Sequence, residues 1–560
     1  MRKVAKIATV GMALAMASSM VLSTAACRST EDLIKDGKTI NVKVFSAGYG
    51  TDYIYALQEK FEEAFADEGY KLNIFTPLAG FSGEKVLQDI ASGVGADVYF
   101  STFVREDQLV QEAYANTVAD ITELVYNQKP INFSGEETGD KTIKQIMEED
   151  TYGYIGYQRA DGSYYALPYQ QGCRGLAVNL SVLADYELEI PKTSKEFFHC
   201  YDVIMEKAAE TGVFPITHIA SQNNYPCSFT NCWMAQYEGY DWYQKYFTFQ
   251  NDDGSNMSNE QIKEMYNADG IYHMLNNMYH ALDQNCGTYG SQSQGLEKAQ
   301  AKLFNGSCAF MMNGDWLISE TYNNYSDKQR ENLAFVNVPV ISELGVKVFG
   351  EGTSYNKSEE DCEKILRAII DEVDSNKNLA DIKAVVDAKF STEFALADIE
   401  RIAEARGFVY TESSEAGVYV NARSEIKDLA ALLLRFCASE EAGELLSAKM
   451  YSANPFCKTY ASHRYEWVNS ARAIMSNQYM NGLYPSASGY KAELAKTVDS
   501  EFSKIFPYTG TYVNLKIIAD KKTMYDAETL VKTGSESLYA TAAQSMADKI
   551  YNDAVNRLNK

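Results

Sequence analysis

Hydrophobic and polar residues alternate where the folded part of the chain is predicted to begin. Residues 39–45 (TINVKVF) place apolar side chains on one face, which is typical of a strand. From Ile54 to Phe65 apolar residues recur at helical spacing, which predicts a helix. The same patterns then predict strands at 71–76 and 96–100 and helices at 84–92 and 106–114. This alternation predicts a parallel sheet covered by helices, with ligands bound outside the carboxyl ends of its strands.

A second group of strands and helices is predicted from about residue 152 onward. The predicted strands are 163–168, 175–178, 307–312 and 333–339. The predicted helices are 194–210, a pair within 227–246, 296–304, a helical region starting at 430, and a long final helix at 536–558. Between 356 and 413 the sequence becomes rich in charge. Two amphipathic stretches there, 363–373 and 392–405, predict an inserted and peripheral helical pair.

The N-terminal residues have the pattern of a secretory signal peptide. Positive residues come first, an uncharged run from Ile7 to Leu22 follows, and small residues end it directly before Cys27. The Ala-Ala-Cys ending resembles the lipobox of bacterial lipoproteins, in which the cysteine thiol receives the lipid. Thr24 stands where such sequences usually have Leu, so ordinary cleavage near Ala26 is the alternative. We therefore predict a signal peptide at 1–26, a lipid anchor and tether at 27–38, and a mature protein outside the cytoplasm.

Composition narrows the classes of partner. A chain of 560 residues is too long for one core, so two or more lobes are expected. The net charge of −25 argues against nucleic acid and disfavours an anionic solute, unless a local positive pocket overrides it. The nine cysteines after Cys27 are scattered and odd in number, and the five histidines supply no ligand spacing. We predict buried free thiols, with no metal and no cofactor.

Four segments, in this order, carry a resemblance to a known family. They are TINVKVFSAGYGTDYIYALQEKFEE, LQDIASGVGADVYF, GSYYALPYQQGCRGLAVNLSVL and AKLFNGSCAFMMNGDWL. Together they resemble the extracellular sugar-binding proteins of ABC transporters, the maltose-binding-protein-like group. The resemblance implies an α/β, two-lobed periplasmic-binding-protein fold of type II, with a sugar or oligosaccharide held between the lobes. It also implies delivery to ABC permease subunits in the membrane by a protein that is a monomer.

The resemblance implies that the chain crosses between its lobes more than once. We predict lobe one at 39–155 plus 345–455, with the helical insertion at about 359–410 inside it. Lobe two is then 156–344 plus 456–560. The insertion is expected to be dispensable for solute binding.

Trp316 is the first candidate for ligand binding. In the family, the tryptophan of the Gly-x-Trp segment stacks on a sugar ring, and the alternative is a core tryptophan. Pyranose C–H faces are apolar, and indole offers a large rigid surface to them. Asp315 beside it would accept hydrogen bonds from hydroxyl groups, or else cap the following helical turn.

The remaining candidates lie at predicted strand ends or at a helix start. Tyr169 and Gln170 follow a strand, and Tyr49 and Phe103 lie in loops after the first and third strands. Trp233 begins a helix that borders the cleft in the family, with a core position as the alternative. All five are candidates for contact with the solute.

Arg174 is a single cation within an apolar strand. A buried arginine usually has a carboxylate partner and a structural role, and contact with solute is the alternative. Its role is therefore left open by the sequence.

Other function classes stay open at this point. The chain has no G-x-S-x-G, H-E-x-x-H or Walker A motif, which disfavours an enzyme, although a secreted hydrolase using paired carboxylates is not excluded. The same fold could also bind a polyamine, a peptide or a metal chelate. A surface protein that has lost transport and serves adhesion or sensing is a third possibility.

Overall fold

A computed structural model describes residues 33–491, with gaps at 46–47, 77–82, 94, 103, 105–108, 110–113, 115, 149–156, 160, 219–224, 267, 283–285, 289–293, 412–415, 458 and 484–487. The chain forms two compact units. Unit 1 comprises Met1–Gln171 and Ser413–Tyr460, and unit 2 comprises Gly172–Glu412 and Ala461–Lys560. The predicted signal peptide, Cys27 and the predicted long helix at 536–558 lie outside the described residues. The predicted two-part α/β fold is confirmed.

Unit 1 contains one five-stranded sheet with strand order β2-β1-β3-β10-β4. The strands are β1 (Thr39–Val44), β2 (Lys71–Phe75), β3 (Val98–Thr102), β4 (Leu167–Pro168) and β10 (Ala416–Val420). The helices are α1 (Asp52–Ala64), α2 (Gly83–Ala91), α3 (Ile143–Glu148), α17 (Lys427–Cys437) and α18 (Glu440–Met450), with a π-helical turn at Thr122–Tyr126. Strands β1, β2 and β3 are parallel, as predicted, whereas β10 is antiparallel to β3 and to β4.

The periodicities that predicted β1 and α1 also explain how they pack. Ile40, Val42 and Val44 on β1 are fully buried. The apolar side of α1, which includes Leu57 and Phe61, is buried in the same core. Burying one such side chain contributes roughly 1.5–3 kcal/mol, so the amphipathic pattern fixes which face of each element meets the other.

Unit 2 contains a sheet with strand order β11-β9-β5-β7-β6, and β8 also pairs with β5. The strands are β5 (Cys173–Asn179), β6 (Phe214–Thr217), β7 (Cys308–Gly314), β8 (Leu333–Val336), β9 (Phe408–Thr411) and β11 (Asn481–Leu483). The helices are α4 (Leu180–Asp185), α5 (Ser194–Thr211), α6 (Cys227–Glu238), α7 (Tyr240–Thr248), α8 (Asn259–Tyr266), α9 (Asp269–Ala281), α10 (Leu296–Phe304), α11 (Leu317–Glu320), α12 (Asp327–Glu331), α13 (Glu343–Phe349), α14 (Glu359–Asp374), α15 (Leu379–Phe390), α16 (Leu396–Gly407) and α19 (Glu466–Met475).

Strand β5 is shared between two partners along the same side. Its first residues, Cys173 and Arg174, pair with β9, and residues from Leu176 onward pair with β8. Gly175 lies at the change of partner, where a Cβ atom would stand 2.5 Å from the carbonyl oxygen of Val336. A larger residue at 175 would therefore push β8 away from β5.

The boundaries between the units differ from the predicted ones. Residues 157–171, predicted for lobe two, belong to unit 1. The reason is that Tyr157 and Tyr165 are buried in its core and β4 pairs with β10. Residues 345–412, predicted for lobe one, belong to unit 2, where β9 pairs with β5. The predicted break at 455 lies close to the observed one after Tyr460.

The segment predicted as a peripheral insertion is part of the body of unit 2. Helix α14 buries a continuous apolar face that includes Ile365 and Ile369. Asp374 at its end joins Arg406 at 2.7 Å and Lys192 at 2.9 Å, which ties α14 to α16 and to the chain before α5. The segment also contains α15, which we did not predict, and β9. Its deletion would remove a sheet strand, so the expectation that it is dispensable does not fit this packing.

Candidate functional site

The carboxyl ends of several strands of unit 2 lie on one edge of its sheet. Strand β6 is parallel to β7, and both end at this edge. Strand β5 is antiparallel to β7, so β5 begins where β7 ends: Arg174 pairs with Gly314. Strand β9 ends beside the start of β5, where Thr411 pairs with Cys173. This edge, which we call the unit 2 edge, is where an α/β sheet positions ligand-binding groups.

Trp316 lies at the unit 2 edge, directly before α11. Its side chain is partly exposed, and its ring centroid is 6.3 Å from that of Tyr225. The ring covers Gly314, at which a Cβ atom would stand 2.3 Å from the indole. Glycine at 314 therefore lets the indole lie flat against the end of β7. A rigid apolar surface in this position suits stacking on a ligand ring.

Asp315 is fully buried, and its hydrogen bonds hold the backbone next to Trp316. One carboxylate oxygen accepts a 3.3 Å hydrogen bond from the N–H of Cys173, and the N–H of Asp315 donates to the Cys173 carbonyl at 3.0 Å. The Trp467 indole N–H donates to the Asp315 carbonyl at 2.7 Å. Burial and the nearby Asp315 raise the pKa of the Cys173 thiol well above its usual value. These contacts fix the backbone between β7 and α11.

Arg174 lies among three aromatic rings at the unit 2 edge. Its guanidinium carbon is 5.7 Å from the ring centroid of Trp316, 5.3 Å from that of Tyr225 and 5.4 Å from that of Tyr410. Its Nη1 donates a 3.4 Å hydrogen bond to the sulfur of Cys227. Attraction between the cation and the ring faces stabilises the charge in this buried position.

His218 follows β6 at the same edge and did not figure among the candidate ligand contacts. Its side chain is 6% exposed, and among the described residues its Nε2 has no hydrogen-bond partner. Its carbonyl accepts a 2.8 Å hydrogen bond from Gln294, which also donates to Thr217 at 2.7 Å. Burial lowers the pKa of His218 to about 4, so the imidazole is neutral at pH 7. Sequence reasoning missed His218 because the strand order, which places it beside the other residues of this edge, cannot be read from a local pattern.

In unit 1, two candidate residues meet at the corresponding edge of the sheet. Strands β1 and β3 end there, and so does β4, because it is antiparallel to β10. Tyr49 follows β1, Gln170 follows β4, and the Gln170 amide donates a 2.5 Å hydrogen bond to the Tyr49 hydroxyl. Gln170 is 2% exposed, whereas Tyr49 is partly exposed. We call this the unit 1 edge.

Comparison with known families identifies the family to which the chain belongs. Residues 47–444 match the family described as bacterial extracellular solute-binding protein. The chain belongs to this family. No curated protein matches the sequence. Members of the family are binding proteins that act outside the cytoplasm, in agreement with the resemblance carried by the four sequence segments.

Solved structures of solute-binding proteins share the fold. The bacterial solute receptor AcbH, described with an exclusive preference for β-D-galactopyranose, is 11% identical with a TM-score of 0.52, covering 92% of this chain and 98% of that one. RafE from Streptococcus pneumoniae is 11% identical with a TM-score of 0.51, covering 92% and 99%. A chitin oligosaccharide binding protein is 11% identical with a TM-score of 0.50, covering 92% and 100%. At this identity the likeness establishes the fold alone.

Three further candidates of this solute-binding protein lie in the cores or outside the described residues. Tyr169 is 4% exposed and stacks on Tyr53 in the core of unit 1, where burial raises its pKa to about 12. Trp233 is fully buried in unit 2, and its indole N–H donates to the Pro339 carbonyl at 3.0 Å. Burial favours structural roles for both, and ligand contact stays a prediction. Phe103 lies outside the described residues.

The cysteines of the solute-binding protein agree with the sequence analysis. All nine cysteines after Cys27 are free thiols, and the prediction that they are buried is confirmed for all but Cys286, which is partly exposed. Within the described part of the chain, no group of three or more potential ligands is arranged to hold a metal ion. None of the described helices combines the length and apolar character needed to cross a bilayer.

Proposed function

We propose that this protein is the substrate-binding lipoprotein of an ABC importer and that it captures a sugar or an oligosaccharide. The observation that carries the proposal is Trp316, a partly exposed indole fixed at the carboxyl edge of a sheet. Of the four tryptophans, Trp233 and Trp467 are fully buried and Trp242 stacks on Tyr246 within helix α7. Trp316 alone of the four combines exposure with the edge at which this fold binds ligands.

The relatives of this fold support a carbohydrate as the solute. AcbH is described with a preference for β-D-galactopyranose, and another neighbour is a chitin oligosaccharide binding protein. A sugar ring has apolar C–H faces and polar hydroxyl groups. Trp316 supplies a rigid apolar surface for the C–H faces.

A thermal-shift screen tests the class of solute. A ligand that binds only the folded state stabilises it by about 2.7 kcal/mol at a hundred times its Kd. We expect at least one mono- or oligosaccharide to raise the melting temperature in a concentration-dependent way. Polyamines, peptides and metal chelates are the controls. A shift with one of these and with no sugar would move the protein to the alternative solute class, and turnover of a glycoside would make it an enzyme.

Replacing Trp316 by alanine tests the contact itself. A stacked indole that is central to binding contributes roughly 2 kcal/mol or more, so we expect the affinity for the sugar found in the screen to fall more than about tenfold. Trp242→Ala is the matched control, because Trp242 is also partly exposed but lies on α7. Calorimetric titration and a denaturant melt of both variants separate lost contact from lost stability. Equal affinity in the two variants would remove Trp316 from the site.

The lipid anchor at Cys27 is part of the same proposal. An importer needs its binding protein held near the membrane, and the Ala-Ala-Cys ending after an apolar segment supports lipidation there. Metabolic labelling with a fatty-acid analogue should mark the wild-type protein and not Cys27→Ala, which should be released or left unprocessed. Label that persists in the variant would refute the anchor without affecting the solute assignment. We expect the tethered protein to act as a monomer on its permease.

A further inference from the structure

Arg174 stands next to the proposed stacking surface. Its guanidinium carbon is 5.7 Å from the Trp316 ring, and its strand position pairs with Gly314, which that ring covers. A ligand group beside the indole would therefore also be close to the guanidinium. No other Arg or Lys is among the partners of the Trp316 ring in the described part of the chain.

The cation at this place is buried and rigidly held. Arg174 is 6% exposed and lies over the rings of Tyr225 and Tyr410 as well as Trp316. An arginine side chain keeps its charge at any physiological pH, and its planar group offers donors in a fork that matches a carboxylate. Because the rings already restrict the side chain, a ligand that binds it would order little further conformational freedom.

We propose that the natural solute is an acidic saccharide, and that Arg174 binds the carboxylate of a uronic acid residue whose ring stacks on Trp316. This inference rests on the proposed function, since it specifies the class of sugar. The net charge of −25 repels an anion at long range, and the buried Arg174 at the unit 2 edge places a positive group next to the stacking surface. A carboxylate fits better than a point anion because the planar guanidinium can bind it through two parallel hydrogen bonds.

The first test uses the wild-type protein and pairs of ligands that differ only in charge. Short oligosaccharides containing glucuronate, galacturonate or mannuronate are each compared with the carboxyl-reduced neutral sugar by calorimetry. We expect one acidic form to bind about 10- to 100-fold more tightly than its neutral partner, as for a hydrogen-bonded charged group. Equal or tighter binding of the neutral form overturns the acidic assignment and leaves the sugar-binding proposal intact. If no sugar of either kind binds, both proposals fail.

The second test links the preference to Arg174. In Arg174→Gln the acidic sugar should bind no more tightly than the neutral one, and Arg174→Lys should recover only part of the preference because it lacks the fork. Arg159→Gln is the matched control, since Arg159 lies 5.5 Å from the ring of Tyr165 in unit 1. Arg159→Gln should keep the full preference. A preference retained in a folded Arg174→Gln protein, verified by circular dichroism, would assign the carboxylate to another group. If Arg174→Gln does not fold, Arg174→Lys replaces it in the titration. A reduced preference for the acidic sugar then supports the proposal, and the full preference contradicts it.

Discussion

The carboxyl edges of the two sheets differ in their chemistry. The unit 1 edge presents the neutral Tyr49–Gln170 hydrogen bond. The unit 2 edge presents the Trp316 indole, the Arg174 guanidinium with its aromatic neighbours, and the buried neutral His218. The comparison shows that two sheets of the same fold class can carry different side-chain chemistry at the carboxyl ends of their strands. The partly exposed ring and the cation lie at the unit 2 edge, and the unit 1 edge carries neutral polar groups.

The largest expected effect on stability concerns Trp467, a buried residue next to the unit 2 edge. Trp467 is fully buried, packs on Phe335 at 5.2 Å and holds the Asp315 carbonyl. Trp467→Ala should lower the free energy of unfolding by about 3–5 kcal/mol, as is typical for truncation of a buried tryptophan. A denaturant melt measures this, with Trp242→Ala as control. A loss below about 1 kcal/mol would mean that Asp315 and Trp316 are held by other contacts.

The second effect is a pH dependence that belongs to unit 2. The pKa of His218 is about 4 in the folded protein, below its ordinary value of 6.5. Between these values the unfolded chain binds the proton and the folded protein does not. Stability from this residue is therefore complete above pH 6.5 and is lost as the pH falls toward 4, by roughly 3 kcal/mol. Unfolding free energies of wild type and His218→Gln at several pH values test this, and parallel curves for the two proteins would contradict it.

The third effect is confined to the surface of the unit 2 edge. In Gly314→Ala the new Cβ atom would stand 2.3 Å from the Trp316 ring, which must move. We expect a loss of about 1–3 kcal/mol of stability, typical of overpacking, together with weaker sugar binding. Gly295→Ala is the matched control, because a Cβ atom there meets nothing within 4 Å. Identical melts and affinities for the two variants would show that the indole has room to shift.

The smallest effect belongs to the unit 1 edge. Tyr49→Phe removes the acceptor of the Gln170 amide hydrogen bond. We expect a cost of about 1 kcal/mol in stability, measured by a denaturant melt, because the buried Gln170 amide loses its acceptor. Tyr55→Phe serves as control, since Tyr55 is 47% exposed. A loss of stability larger than that of Gly314→Ala would contradict this ranking of the two edges.

Elements with a strong local pattern were predicted closely, whereas the grouping of residues was not. The helix predicted at 296–304 is α10 with the same bounds, and the predicted strand at 39–45 is β1. The bounds of the lobes failed because no local pattern records which sheet a strand joins. The charged face of α14 suggested an exposed insertion, yet Arg367 and Asp374 use those charges in ion pairs within unit 2, such as the 2.8 Å contact of Arg367 with Glu196. The sequence shows that a side chain is charged, but it does not show whether that side chain faces solvent or forms an ion pair.

Strands β9 and β10 show that the sequence does not reveal which sheet a strand joins. Only a few residues separate them, and both are short apolar runs with strand character. Nevertheless β9 pairs with β5 in unit 2, whereas β10 pairs with β3 in unit 1. The sequence by itself determined the class, the elements and Trp316 as a candidate, because periodicity and a local motif carry that information. The tertiary structure alone brought Trp316, Tyr225 and Tyr410 together around Arg174, because strand pairing joins residues that are distant along the chain.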